Sequence, residues 1–125
     1  WNQDGKPDLV VTHQAEPSAL LINRTQTNNQ WLQINLVGTD SERDAIGTRI
    51  EVDLGDLQLT EWITAGDGFF GHNQASAFFG LGEETKIQKI VIHWPTGKTQ
   101  TLQNPCEANT KILVIENQEQ FFRWQ

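Results

Sequence analysis

The chain has 125 residues, enough for one domain with its own apolar core, and its 37% of hydrophobic residues argue against intrinsic disorder. Sixteen acidic and nine basic side chains give a net charge of -7, so the chain lacks the basic footprint of a nucleic-acid-binding protein. The single cysteine, Cys106, excludes an internal disulfide, and no apolar run approaches the roughly 20 residues that span a bilayer.

The chain begins with a polar loop that has the spacing of a cation site. Asn2, Asp4 and Asp8 carry side-chain oxygens around an Asp4-Gly5 turn, and an apolar stretch follows from Leu9. Carboxylates spaced in this way converge on Ca²⁺ where the glycine bends the backbone sharply. An ordinary Asp-Gly turn with solvated charges has the same pattern, so the spacing leaves both interpretations open.

Short apolar runs separated by turn residues predict strands after this loop. Leu9 to His13 and Ala19 to Asn23 are predicted to form a pair of strands. The polar stretch Arg24 to Gln30 has the composition of a linker, so we place a domain boundary there.

The middle of the chain predicts a strand followed by a hairpin. Leu32 to Leu36 alternates apolar and polar residues, as a strand with one buried face does. Ile50 to Leu54 alternates in the same way, and the turn Gly55-Asp56 returns the chain through a second strand, Leu57 to Ile63.

The loop between these elements, Gly38 to Asp44, carries three acids. Asp40, Glu42 and Asp44 offer a second cation site. The interpretation we favour is a solvated turn in which Arg43 balances part of the charge, since exposed charges interact weakly across water.

Glycines shape the stretch from Gly66 to Gly71. They allow backbone angles that other residues avoid, so Phe69 and Phe70 are expected to turn inward from a tight loop. The polar residues of this stretch and its tip are the candidates for contact with a ligand or partner: Asp67, His72, Asn73 and Gln74.

Ile87 to Trp94 is the most apolar of the predicted strands. Ile90 and Ile92 lie on one face and Val91 on the other, which predicts a central strand covered on both sides. Lys98 to Leu102 is predicted to return as its hairpin partner after a Pro-Thr-Gly turn.

The end of the chain predicts one more core strand, Ile112 to Ile115. The tail from Asn117 to Gln125 contains three aromatic residues. Both a short amphipathic helix and a frayed end fit its composition.

Together these elements predict an all-β fold of roughly eight or nine strands, since no helical period of useful length occurs. We expect an antiparallel β-sandwich of the jelly-roll type, with a small β-barrel as the alternative. The sequence contains no phosphate loop, nucleophile elbow or metal-spaced His/Cys cluster, so we expect a protein that is not an enzyme.

Six motifs follow one another between residues 31 and 116. They are Leu36-Val37-Gly38-Thr39, Arg43-Asp44-Ala45-Ile46-Gly47-Thr48-Arg49, Gly66-Asp67-Gly68-Phe69, Phe79-Gly80-Leu81-Gly82, Trp94-Pro95-Thr96-Gly97 and Asn109. In this order they resemble the ASPIC/UnbV domain, the kind found at the C-terminal end of cartilage acidic protein. The resemblance implies a β domain over residues 31–116 and leaves residues 117–125 as a C-terminal tail.

The polar loop and the two strands after it, residues 1–30, resemble the end of an FG-GAP/VCBS repeat, the blade unit of integrin-like β-propellers. This resemblance implies calcium ligands at Asn2, Asp4 and Asp8, with Lys6 offering its backbone carbonyl. The first aspartate of the repeat pattern would precede Trp1. Since the chain contains no methionine, we expect it to be a piece of a longer protein whose targeting segment lies upstream.

The two resemblances imply a non-catalytic binding or adhesion module at the C-terminal end of a calcium-binding β-propeller, in an extracellular, cell-surface or periplasmic protein. The expected partners are that propeller and a protein or carbohydrate ligand, without nucleic acid or membrane insertion. A structural cap or self-association domain is one alternative.

A carbohydrate-binding module is the other alternative. Its groove would be lined by Trp62, Phe69, Phe70, Trp94 and Asn73, because aromatic faces and amides recognise sugars. Packing of these aromatics in the core is the interpretation we favour.

Overall fold

The structure is a computed structural model, and it describes residues 1–2, 4–66, 68 and 74–124, the last of these without its side chain. This part of the chain contains ten strands and no helix, and hence no helix long and apolar enough to cross a membrane. The predicted all-β fold is confirmed.

Eight of the ten strands form two four-stranded sheets, and the first two form a separate ribbon. The strands are β1 Leu9–Val11, β2 Ala19–Leu21, β3 Gln30–Val37, β4 Arg49–Asp53, β5 Gln58–Trp62, β6 Ser76–Gly82, β7 Lys89–His93, β8 Thr99–Gln103, β9 Thr110–Ile115 and β10 Phe121–Trp124. One sheet has the order β10-β9-β3-β6 and the other β5-β4-β7-β8. The two sheets do not join into a closed barrel in the described residues, so the architecture is the predicted β-sandwich.

Alternating apolar residues build the core between the sheets. On β3, Leu32, Ile34 and Leu36 are buried, as their spacing predicts. On the facing sheet, Ile50 of β4 lies opposite Ile92 of β7, and both are fully buried. Because successive side chains of a strand point to opposite faces, each sheet contributes one face to the core and turns the other toward solvent.

The predicted hairpin around Gly55 is confirmed. The N–H of Leu54 donates to the carbonyl of Leu57 at 2.9 Å, which closes a two-residue turn. Gly55 adopts a φ of +104°, a conformation that a residue with a Cβ rarely takes. The predicted pairings of β1 with β2 and of β7 with β8 are also confirmed.

One strand pair departs from the predicted antiparallel arrangement. β3 and β9 run parallel, with Leu32 beside Thr110 at the start of the pairing. Asn109 contributes to this alignment, because its N–H donates to the carbonyl of Trp31 at 2.7 Å and its side-chain oxygen accepts the N–H of Trp31. The direction of pairing depends on segments far apart in the chain, so local alternation does not reveal it.

The tail forms a strand over Phe121–Trp124, so neither the helix nor the frayed end that its composition allows occurs in the described part of residues 117–125. Asn117 adopts a φ of +65° and Gln118 donates a turn hydrogen bond of 3.2 Å, which reverses the chain directly after β9. β10 then pairs antiparallel with β9. Phe121 packs against the core and Phe122 is exposed, which is the alternation of an edge strand.

β7 is central in its sheet, as predicted, but only one of its faces is fully buried. Ile90 and Ile92 point into the core, whereas Val91 and His93 are half-buried on the outer face. Charged side chains of the neighbouring strand cover part of that face, including Glu51, whose carboxylate lies 3.3 Å from Nε2 of His93. The predicted cover is therefore complete on the inner face and only partial on the outer one.

Candidate functional site

A cleft of about 750 Å³ lies between β8, the outermost strand of one sheet, and the turn that connects β9 to β10 in the other. Its lining consists of Trp94, Lys98, all five residues of β8, Pro105, Asn117, Gln118, Glu119 and Phe121. This volume falls within the roughly 300–1,000 Å³ typical of small-molecule binding pockets.

Gln100 connects the two walls of the cleft. Its side-chain oxygen accepts the indole N–H of Trp94 at 3.1 Å. Its side-chain nitrogen donates to the carbonyls of Ile115 and Gln118, at 3.3 and 2.6 Å. Both ends of the amide are thus bonded, and β8 is fixed against the β9–β10 turn. The cleft is therefore preorganised at this point.

Below the rim of the cleft lies a buried carboxylate. Glu116 is 1% exposed. Its Oε2 accepts the backbone N–H groups of Thr39, Asp40 and Ser41 at 2.9, 2.9 and 2.7 Å. Its Oε1 accepts the hydroxyls of Ser41 and Thr96 at 3.0 and 3.1 Å. The loop after β3 thus wraps around the carboxylate that follows β9.

Two opposing effects act on the pKa of Glu116. Burial raises the pKa, because a buried charge loses its hydration, but hydrogen bonds from Ser41, Thr39 and Asp40 outweigh this effect and lower the pKa to about 2. The carboxyl group is therefore ionised at neutral pH. It holds the loop as a fixed anion and has no proton to supply as a general acid.

The acids of this loop do not converge on a cation site. Asp40 is bonded to Lys98, and Asn117 donates to the same carboxylate at 3.1 Å. The Lys98 hydrogen bond, followed by that of Asn117, lowers the pKa of Asp40, and the Asp40 hydrogen bond raises the pKa of Lys98. Glu42 instead accepts the N–H of Asp44 at 3.0 Å. The loop surrounds an internal anion, and its ion pair is with Lys98 rather than with Arg43.

Two of the motifs noted in the sequence meet at Glu116. The Leu36–Thr39 motif ends in the residue whose N–H binds the carboxylate. The turn Trp94–Gly97 contributes the Thr96 hydroxyl to the same carboxylate and the Trp94 indole to the cleft. The spacing of these motifs thus serves to position the loop and the cleft wall.

The predicted calcium loop lies apart from this cleft. Asn2 donates to Asp4 at 2.9 Å, and the other oxygen of Asp4 accepts the N–H of Lys6 at 3.0 Å. Asp8 accepts the N–H of Asn23 at 2.8 Å and the α-amino group of Trp1 at 2.8 Å. In the described residues, no three His, Cys, Asp or Glu side chains cluster as they would around a metal.

The same N-terminal turn packs on the sandwich. Gly5 has a φ of +79°, and a Cβ at this position would overlap the Trp31 indole. Trp31 stacks on Phe78, with 5.9 Å between the ring centroids. A cavity of about 540 Å³ along this seam is lined by Asp4, Lys6 and the aromatic pair, among others. The loop and β3 are therefore in direct contact.

The residues predicted to contact a ligand lie mostly outside the described part of the chain. Asp67, His72 and Asn73 are among them, whereas Gln74 is exposed and its carbonyl accepts the N–H of Ser76 at 2.7 Å. Gln74 does not line the cleft beside β8.

The aromatic groove suggested by the sequence is also only partly described, since Phe69, Phe70 and Asn73 lie outside the described residues. Trp94 is 3% exposed, so it packs in the core as favoured. Trp62 is 56% exposed on the other face of the same sheet, where it pairs with Arg49, so the core packing favoured for it is wrong. The two tryptophans therefore do not share a groove.

Burial disfavours Cys106 as a nucleophile in this fold. The thiol is buried, and burial raises its pKa to about 11, with Arg123 acting weakly in the other direction. The unreactive protonated thiol is thus the dominant form at neutral pH.

Sequence reasoning did not identify Gln100, Glu116 or Asn117 as part of a site. A glutamate or glutamine at the end of a strand usually faces water, and nothing local distinguishes these residues from such cases. A weak signal was available at Glu116, which directly follows the apolar run Ile112–Ile115 and precedes an asparagine able to adopt a positive φ.

A protein-family model described as ASPIC and UnbV matches residues 38–121. No curated protein matches the chain. The matched span contains Glu116, the loop around it and the entire lining of the cleft beside β8.

Proposed function

The chain belongs to the ASPIC and UnbV family, and from this premise we propose that it is a non-catalytic ligand-binding module. The cleft beside β8 is the observation that carries the proposal. It combines the apolar side chains of Leu102 and Phe121 with the amides and hydroxyls of its rim. A few polar groups around an apolar floor are the usual composition of a binding pocket.

The ionisable side chains near the cleft that could take part in catalysis are held in structural hydrogen bonds instead. Lys98 is hydrogen-bonded to Asp40 and Asn117, and its raised pKa keeps it a cation that cannot act as a nucleophile or base. Glu116 is a fixed anion beneath the rim. Rigid, fully bonded groups of this kind favour recognition of a ligand over proton transfer.

The test is a screen of the chain against a glycan array and a random peptide library. Ligands should be selected, and Thr101→Arg, which adds a long cationic side chain to a residue that lines the cleft, should weaken their binding. Thr60→Arg is the matched control. Thr60 and Thr101 are both exposed and occupy the same cross-strand row through Glu51 and Val91, at opposite edges of one sheet. Failure to select any ligand that discriminates between the two variants would overturn the proposal.

The ribbon of β1 and β2 favours a second role, docking against another β structure. Leu9 pairs with Leu21 and Val10 with Leu20, so each face of the ribbon presents one of these pairs. All four side chains are between 40% and 58% exposed. A two-stranded ribbon is marginally stable in water, and apolar residues on both faces need cover on both faces.

We propose that the ribbon is the end of an FG-GAP/VCBS-type repeat and that the module sits at the C-terminal end of a β-propeller in the same chain. Stacked blades would cover both faces of the ribbon. Hydrogen exchange tests this in the chain as given and in one extended upstream. The amides of Val10 and Leu20 should exchange much more slowly in the longer chain, and equal rates in both would contradict the role.

The N-terminal loop is proposed as a calcium site, with Asn2, Asp4, the carbonyl of Lys6 and Asp8 as ligands. The Asp8 side chain is 4% exposed and already holds a cation, the α-amino group of Trp1. In a chain that continues upstream, the nitrogen of Trp1 belongs to a neutral peptide bond. The Asp8 carboxylate oxygen that pairs with it here would then be free to bind another cation. When bound, the ion would supply structural cross-linking of the loop.

With only the ligands between residues 2 and 8, affinity is expected to be low, because the number of charged ligands sets calcium affinity and only Asp4 and Asp8 are carboxylates; the upstream aspartate of the repeat pattern would add a third. We propose an extracellular, cell-surface or periplasmic location, as the resemblance to FG-GAP/VCBS repeats implies. Calorimetric titration of an upstream-extended chain with Ca²⁺ should give binding heat that Asp8→Asn removes. Heat no greater than that of dilution would contradict the calcium site.

A further inference from the structure

β8 exposes one row of its backbone hydrogen-bonding groups to the cleft. At its two ends, the carbonyl of Lys98 accepts the N–H of Trp94 and the N–H of Asn104 donates to Gln88, at 2.9 and 2.8 Å. Even-numbered residues therefore bond toward β7. Because bonding direction alternates along an antiparallel strand, the backbone groups of Thr99, Thr101 and Gln103 point the other way.

We propose that the cleft binds an extended peptide segment of a partner protein, which pairs with β8 as an additional strand; this inference rests on the proposed binding function. β8 is the last strand of its sheet, and all five of its residues line the cleft. Its outward N–H and C=O groups repeat at the spacing of a second extended backbone, which is the partner that satisfies them best.

β8 lacks the features that usually protect an edge strand. Its sequence, Thr-Gln-Thr-Leu-Gln, contains no charge and no proline. By contrast, β5 at the other edge of the sheet carries Glu61, and the outermost strand β10 carries Arg123. β6, the remaining edge strand, also lacks charge and proline, so what distinguishes β8 is the cleft that all five of its residues line.

The side chains around the cleft define the preferred peptide. Alternate residues of a strand paired with β8 would face the apolar floor formed by Leu102 and Phe121, and the others would face solvent. The peptide should therefore be about five residues long, to match β8, with apolar side chains at alternate positions.

Two other occupants fit the cleft less well. A sugar stacks on an open aromatic face, but of the two aromatic residues that line the cleft Trp94 is 3% exposed and Phe121 packs partly against the core. A second copy of the chain, paired β8 to β8, would bring together two molecules that each have a net charge of -7. A peptide of a partner protein can hydrogen-bond to the outward backbone groups of β8, and it requires neither an open aromatic face nor the approach of two molecules with the same net charge.

The experiment uses peptides selected from a random library and two proline variants. Thr101→Pro removes one outward N–H and leaves the bonds toward β7 intact, since proline is tolerated at the free side of an edge strand. Thr60→Pro is its control. The bonds from Leu54 to Leu57 and from Ile63 to Thr48 place the N–H of Thr60 outward on β5.

Thr101→Pro should weaken peptide binding by about tenfold, as expected for loss of one well-formed hydrogen bond, whereas Thr60→Pro should leave it unchanged. In the bound state, amide exchange should slow at Thr99, Thr101 and Gln103 and stay constant at Gln100 and Leu102. This alternating pattern is specific to strand pairing.

The remaining outcomes separate the two proposals. If Thr101→Arg weakens binding of the selected ligands but Thr101→Pro does not, the binding function stands and strand pairing is overturned. The same conclusion follows if only glycans are selected. Selection of no ligand would overturn both. A concentration-dependent dimer in sedimentation equilibrium that Thr101→Pro abolishes would show that a second copy, and not a partner peptide, pairs with β8.

Discussion

The carboxylate of Glu116 lies 2.7 Å from the backbone nitrogen of Ser41, which precedes it by 75 residues. This contact joins the end of β9 to the loop after β3, and the N–H groups of Thr39 and Asp40 bind the same oxygen. A buried carboxylate with three backbone donors is stable only while all its bonds persist. The loop and the nearby cleft wall therefore depend on one side chain.

Replacing Glu116 should have a large effect on stability. Glu116→Ala leaves three buried N–H groups without an acceptor and should lower the free energy of unfolding by about 3–5 kcal/mol. Glu116→Gln keeps an acceptor and loses the charge, so about 1–2 kcal/mol is expected. Urea unfolding measures both. Glu119→Gln, an exposed control three residues later, should stay within about 0.5 kcal/mol of wild type, and an equal effect of all three would contradict this role.

The same carboxylate predicts a pH dependence of stability. Its pKa is about 2 in the folded chain and about 4.3 in an unfolded one, so folding favours the ionised form. Its contribution is complete above about pH 5 and is lost as the pH falls toward 2. The difference in free energy of unfolding between wild type and Glu116→Gln should shrink over this interval. A difference that stays constant from pH 7 to pH 3 would show that the carboxylate is not stabilised in the fold.

Whether a feature of this fold could be predicted from the sequence depends on how far apart in the chain the interacting residues lie. The strands around Leu32, Ile50 and Ile90 follow from alternation within a few residues, which the sequence displays directly. The parallel alignment set by Asn109 and the bonds of Glu116 join segments more than 70 residues apart. No local pattern encodes which distant segment a polar residue meets, so the fold class was predictable and the cleft was not.

The thiol of Cys106 should react slowly while the chain is folded. Burial raises its pKa to about 11, so its thiolate fraction at pH 8 is about a hundredfold below that of a thiol with a pKa of 9.0. The absorbance released by a disulfide reagent should rise slowly in buffer and rapidly in urea. A rate in buffer equal to that of free cysteine would show that the thiol is exposed, and would reopen the case for chemistry at this residue.

The contact between Gly5 and Trp31 predicts that the N-terminal loop depends on the absence of a side chain at residue 5. Gly5→Ala would strain a backbone with a φ of +79° and also overlap the indole ring. The loop should leave β3, which would shift the indole N–H resonance of Trp31 in an NMR spectrum.

Gly97→Ala separates the two causes, because Gly97 has a φ of +86° and no atom within 4 Å of an added Cβ. It should reduce stability by about 1–2 kcal/mol, as strain alone does, and leave the Trp31 resonance in place. If Gly5→Ala also leaves that resonance unchanged, the loop does not pack on Trp31. Calcium binding in the loop would then not affect the sandwich through this contact.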